Sequence, residues 1–339
     1  MRTDTDIKIS FTHRQAAHCE SGVAANLLSH YGLTLSEPLA FGIGGGLFFG
    51  YFPFIRLNHL PLTTFRAGNG RIINRVAARL NVKIKWEKFR SPESAMAALD
   101  RKLEEQTPVG CRTGAYWLTY FPRRYRFHFN MHNLVAYGRS NGNYLISDPV
   151  FPEPVTCPAK DLRKARFAHG PLAPKGKMYF VTSTPDHIDL RGAIIKGIKA
   201  VCNAMTRAPL GFIGVKGIRY LADRVQHWPQ KLGMEKAALN VGHLIRMQEE
   251  IGTGGAGFRF LYAAFLQESA PVLDNSRLLE LSRQMTDAGD QWREFALIGS
   301  RICKNRASQA ETYPAMATIL RNCAAQEEQL FKELRAAVS

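Results

Sequence analysis

Short β-type runs broken by glycine and proline fill the first half of the chain, whereas apolar residues recur at intervals of three and four through the second. Val82 to Trp86, Met131 to Tyr137, Tyr144 to Ser147 and Met178 to Val181 read as strands. Ser276 to Lys304 carries Leu278, Leu281, Met285, Ala288, Trp292, Phe295 and Ile302 along one face, which predicts an amphipathic helix. Weaker versions of that pattern cover about 188–206, 211–227, 235–250, 256–268 and 309–337. The texture changes at Thr184-Pro185-Asp186, where the proline ends the last strand and Asp186 is placed to cap the first helix. An α+β protein is therefore expected, with a mixed domain over 1–185 and an α-helical domain over 186–339.

Two segments of the first domain carry more than fold. Val23, Leu27, Leu28 and Tyr31 share a helical face and Gly32 suits a stop, so Cys19 falls at the start of a helix. Unpaired N–H groups and the positive end of the macrodipole favour a thiolate there. Further on, Met131 to Gly138 and Asn143 to Ser147 flank Asn141-Gly142, a strong hairpin signal. A loop over 139–142 would set Gly138 opposite Asn143 and His132 opposite Pro149, one residue from Asp148. An imidazole and a carboxylate would then emerge together at the open end of one hairpin.

Composition narrows the classes. The 339 residues are 45% apolar and 22% charged, too hydrophobic for disorder. The net charge is +17, and residues 1–185 hold 25 Lys+Arg against 12 Asp+Glu, net +13, while 186–339 hold 20 against 16, net +4. A basic first half attracts nucleic acid, anionic lipid or an acidic protein. Six cysteines, none paired as CxxC, make neither a disulfide framework nor a metal knuckle, and a reducing compartment is expected. Met1 to Asp6 lacks the apolar core of a signal peptide, so a cytoplasmic location is the default expectation. Pro38 to Ile55 is apolar but contains five glycines and two prolines, a poor membrane helix that reads as buried loop and pocket wall. No metal site is expected: His128 and His132 are four apart, but on a β-type run.

A cysteine nucleophile needs a base, and the base needs an orienting group. Cys19, His132 and Asp148 supply the three. Their order resembles the papain-like C39 peptidase arrangement. His18 to Gly22, Tyr31 to Pro38 and Phe41 to Phe49 together resemble the N-terminal domain of the butirosin biosynthesis protein H family, over roughly 13–182. Gly252 to Tyr262 resembles the helical domain of unassigned function that often follows it.

The resemblance implies a papain-like catalytic domain and an acyltransferase. Its donor would be an acyl or aminoacyl thioester on the phosphopantetheine of an acidic carrier protein, its acceptor a small amine, and it would bind no cofactor of its own. Neither a membrane nor a nucleic acid is an expected partner, and the helical domain would shape the acceptor pocket or a dimer contact. C39-like enzymes place an oxyanion-stabilising Gln six residues before the nucleophile; here His13 stands there and Gln15 follows two residues later, and either could serve. His18 could help acidify the neighbouring thiol.

Gly42 to Gly46 lacks the Lys-Ser/Thr of a phosphate loop and the spacing of a dinucleotide fingerprint. Two readings stay open: Gly44, Gly45, Phe48 and Phe49, with Phe41, Tyr51 and Phe54, wall a channel for the acyl or pantetheine chain, or the glycines form a core crossover. Tyr116 to His128 interleaves aromatics with arginines, and Tyr116 is a candidate substrate contact. A cysteine peptidase or hydrolase, and a non-catalytic basic binding protein, are the rival functions.

Overall fold

The computed structural model describes residues 6–57 and 59–339. In chain order the first elements are β1 (Ile7–Lys8), α1 (Cys19–His30), α2 (Glu37–Ile43), β2 (Leu47–Leu57), β3 (Leu60–Arg66), α3 (Arg71–Arg79), β4 (Lys83–Glu87) and α4 (Pro92–Glu104). They continue as β5 (Val109–Thr113), β6 (His132–Ser140), β7 (Asn143–Ser147), β8 (Val155–Pro158), α5 (Ala159–Arg166) and β9 (Met178–Ser183). The rest is helical: α6 (Leu190–Thr206), α7 (Gly214–Val225), α8 (Trp228–Leu232), α9 (Met234–Glu249), α10 (Arg259–Leu273), α11 (Arg277–Cys303) and α12 (Tyr313–Ala337).

Two compact units share these elements, and the chain enters each of them twice. One unit is Met1–Ala40 with Ile72–Ile188; the other is Phe41–Arg71 with Asp189–Ser339. A single cut near residue 185 therefore misplaces 41–71. That segment is not a loop: after the last turn of α2 it forms the ribbon β2–β3. Leu47 to Phe52 and Leu60 to Phe65 are rich in aromatic and β-branched residues that fit a pleated surface, a signal the glycines obscure. The ribbon belongs to the helical unit by direct pairing, since the Tyr51 N–H donates to Phe212 O at 3.0 Å. Phe49 and Phe65 also pack on Trp292, with ring centroids 5.7 and 5.4 Å away.

The first unit is built on an antiparallel sheet ordered β4-β9-β5-β6-β7-β8, with β1 pairing β6. Leu99 and Leu103 of α4, Val109 and Cys111 of β5, Leu134 and Ala136 of β6, Ile146 of β7 and Met178 of β9 fill its core. Helix α1 is buried from Cys19 to Leu28, on all its faces, where the sequence suggests a single apolar stripe. The β6–β7 turn is two residues, not four: Ser140 faces Asn143, and Asn141 (φ 50°) with Gly142 (φ 73°) adopt the left-handed geometry of a primed turn. An extra residue between Ala136 and Gly138 then shifts the register, so Val135 faces Ser147. The tighter turn moves the register by two residues and the bulge takes one of them back, so His132 still ends beside Asp148.

In the second unit the helices follow the expected periodicities closely. Two details go beyond them: the 211–227 stretch forms α7 and a short extra helix, α8, follows it, and α10 is entered through a 3-10 turn at Ala256–Phe258. Asp189, rather than Asp186, caps α6 by accepting from the Gly192 N–H at 2.7 Å. A buried ion pair closes the core, Arg259 Nε and Nη2 each donating to a Glu327 oxygen at 2.9 Å, while Trp292 Nε1 donates to Glu327 Oε1 at 2.7 Å. Drawn by unit, the charge is nearly even: 22 Lys+Arg against 13 Asp+Glu, net +9, in the first, and 23 against 15, net +8, in the second. The contrast between the halves disappears because Arg56, Arg66 and Arg71 go to the helical unit and Asp186 to the first. Among the described residues, no helix is long and apolar enough to cross a membrane.

Candidate active site

Cys19 opens α1, so its N–H has no partner further up the helix and points out of the helix end. His18 is the N-cap: its Nδ1 accepts from the Ser21 N–H at 3.3 Å and pairs with Ser21 Oγ at 2.9 Å. Glu37 braces the approach, accepting from the N–H groups of Ala17 (2.8 Å) and His18 (2.7 Å) and from Ser21 Oγ (3.0 Å). Burial pushes the Glu37 carboxyl up, against the three hydrogen bonds that hold it down. The next residue, Glu20, is fully buried and reaches across to the start of α3, accepting from the N–H groups of Ile72 (3.0 Å) and Ile73 (3.4 Å).

His132 begins β6, opposite Thr113 of β5. Its Nε2 lies 2.7 Å from Asp148 Oδ2, and the ring also meets the Cys19 side chain, which leaves Nδ1 for the sulfur. Cys19 Sγ lies 4.0 Å from the Met131 carbonyl. Asp148 follows β7 and is wholly buried, its Oδ1 accepting the Val150 N–H at 3.3 Å. Burial alone would lower the imidazole. The Asp148 charge and hydrogen bond outweigh it, with a smaller contribution from Cys19, and push His132 up to about 10. At neutral pH the ring is therefore an imidazolium held between a carboxylate and a sulfur, the arrangement of a papain-like cysteine enzyme.

Tyr120, which the sequence does not single out, donates its hydroxyl to the same Asp148 Oδ2 at 2.7 Å. Phe121 stands edge-on to the His132 ring at 5.4 Å, and Phe151 packs on both Tyr120 (5.3 Å) and Phe121 (4.8 Å). No local pattern marks Tyr120: it lies 28 residues from its acceptor, on an irregular stretch.

The auxiliary residues come out differently. His13 is not a spare oxyanion donor, because Nδ1 pairs with Ser147 Oγ at 2.8 Å and Nε2 with Phe151 O at 3.0 Å; it ties the N-terminal segment to the end of β7. Gln15 is exposed. His18 is spent on capping. Gly44, Gly45, Phe48 and Phe49 belong to the other unit. Phe49 is closed within its core, and a Cβ at Gly42 or Gly46 would lie 2.1 Å from Phe265 or 2.4 Å from Phe41, so these glycines admit rings rather than a ligand. Tyr116 is 40% exposed and stacks on His128 at 4.2 Å. Among the described residues, no group of three or more His, Cys, Asp or Glu side chains could hold a metal ion.

Residues 18–149 match the family model described as Butirosin biosynthesis protein H, N-terminal, and residues 160–334 match the one described as Domain of unknown function (DUF4872). Among solved structures the chain is similar to a protein described as a C39-like peptidase from Bacillus anthracis, at 16% identity and a TM-score of 0.38, over 54% of this chain and 100% of that one. No curated protein matches it. With the second model alone spanning more than half of the chain, and the first preceding it in the expected order, the chain belongs to the family that joins a butirosin biosynthesis protein H N-terminal domain to a DUF4872 domain.

Proposed function

We propose that the protein is an acyltransferase of antibiotic-type specialised metabolism, moving an acyl or aminoacyl group from a carrier protein's phosphopantetheine thioester through Cys19 to an amine. One observation supports the chemistry above the others: the buried 2.7 Å bond between His132 and Asp148, with Cys19 against the same ring. The family match supports the substrate class.

In the first half-reaction the Cys19 thiolate attacks the thioester carbonyl. The Cys19 N–H, at the positive end of α1, stabilises the oxyanion. The bond to the pantetheine sulfur breaks, and that sulfur leaves with the proton of the His132 imidazolium. In the second, an amine attacks the acyl-enzyme, neutral His132 takes the amine's proton, and the thiolate is released. Exchange between thioesters is nearly balanced; amide formation draws the sequence forward.

The test is intact-protein mass after mixing with candidate acyl-carrier thioesters, with and without amines. A mass gain on Cys19 that an amine discharges as amide supports transfer. Discharge by water at the same rate makes the protein a hydrolase instead, and full activity in Cys19→Ala removes the nucleophile assignment.

A further inference from the structure

The Asp148 carboxylate is shared unevenly. Oδ2 receives two donors at 2.7 Å, His132 Nε2 and the Tyr120 hydroxyl, whereas Oδ1 receives one backbone N–H at 3.3 Å. Two short bonds to one buried oxygen compete for the same negative charge, so whatever the phenol draws is withdrawn from the imidazole. The phenol is a donor at neutral pH: burial and the Asp148 charge push Tyr120 well above the ordinary range. Its ring is fixed against Phe121 and Phe151.

We infer that Tyr120 is a positioning residue that weakens the grip of Asp148 on the His132 proton by hydrogen-bonding to the oxygen they share. A relay of this kind has opposing needs. The imidazolium must persist to hold the thiolate, yet it must surrender its proton to the departing sulfur within one turnover. A buried carboxylate bonded to His132 alone meets the first need and obstructs the second. A second donor on Oδ2 spreads the charge and eases release, without touching substrate or sulfur.

Few other groups face these three. Cys157 and Asp148 act on Tyr120, Cys19 and Asp148 act on His132, and Asp161 and Asp148 act on Cys157. Glu20, Cys19, Cys111 and Arg112 act on Tyr179. His13 reaches the end of β7 through Ser147. Among these side chains of the described residues, Tyr120 is the neutral donor that binds the carboxylate directly.

The inference rests on the cysteine relay but not on any acyl donor or acceptor, so its test needs neither. The full chain is labelled with nitrogen-15 histidine, the His132 signals are assigned by loss in His132→Ala, and the imidazole is titrated in wild type, in Tyr120→Phe and with 3-fluorotyrosine at position 120. Removing the hydroxyl should raise the pH of proton loss by about one unit and move the Nε2–H proton downfield at neutral pH. The more acidic fluorinated phenol should shift both the opposite way. Identical titrations in the three proteins overturn the inference, and so does a Tyr120→Phe chain that only loses thermal stability. Should Tyr120→Phe fail to fold, the fluorinated chain, which keeps the hydroxyl and nearly the same shape, decides alone. Alkylation of wild-type Cys19 by iodoacetamide separates the two readings. If Cys19 reacts no faster than the other thiols, the relay itself is wrong; if it is fast and the titrations coincide, only the role of Tyr120 falls.

Discussion

A thiol attacks carbonyls poorly until its proton is gone, and beside Cys19 stand both a helix end and the His132 ring. Glu37 already sits at that end, and a carboxylate there opposes a second negative charge. The His132 ring, which meets the Cys19 side chain, is the group placed to supply a counter-charge. Asp148→Asn should therefore keep the fold while lowering turnover about a thousandfold or more, because the imidazolium and its orientation are no longer enforced. A pH signature accompanies it. His132 is raised in the folded protein, so its contribution to stability is fully present below the ordinary value near 6.5 and is lost as pH climbs from there towards about 10. Urea unfolding should show stability falling between about pH 7 and 8.5, below the range where buried thiols such as Cys157 and Cys202, pushed up to about 12, add their own slope. Asp148→Asn should flatten that fall. Cys19, His132 and Asp148 were legible because each sits at a local signal: a helix start, a strand start and a residue before proline. Tyr120, Glu37 and Glu20 act on groups remote in the chain, and nothing in their neighbourhoods announces it.

Elements were readable where one periodicity ruled. The helices of the second unit bury single faces over many turns, so threes and fours betray them; α11 buries Leu278, Leu281, Met285, Ala288, Trp292 and Phe295, all on the expected stripe. Strand β5 is buried throughout and reads Val-Gly-Cys-Arg-Thr, with no alternation to find. Ribbon β2–β3 was hidden by glycines that make room for Phe265 and Phe41. The link between α1 and α3 is a contact that only folding reveals, and it lends itself to measurement. Glu20→Ala should cost about 1–3 kcal/mol in chemical denaturation, since it strips two buried N–H groups at the start of α3 of their acceptor. A larger loss of activity than of stability would show that α3 also holds Cys19 in line.

At the scale of the molecule, charge and connectivity change the picture drawn from sequence. The positive excess is +9 in one unit and +8 in the other, so an acidic partner would be attracted by both. Raising salt from low to physiological ionic strength should weaken capture of a carrier-borne donor several-fold and leave turnover of a small thioester mimic nearly unchanged. Equal sensitivity would mean that the charge serves solubility alone. Connectivity has the farther reach. Phe41–Arg71 leaves the ribosome before most of the sheet that surrounds Cys19, yet its packing partners follow much later, Phe212 past the middle of the chain and Trp292 towards its end. For most of translation an aromatic ribbon is left without its cover, an opening for chaperones and a hazard for aggregation. Ending the chain at Ile188 would make that exposure permanent. Such a fragment should be recovered chiefly as insoluble protein, and deleting 41–71 from it, with a short glycine-serine bridge, should restore solubility.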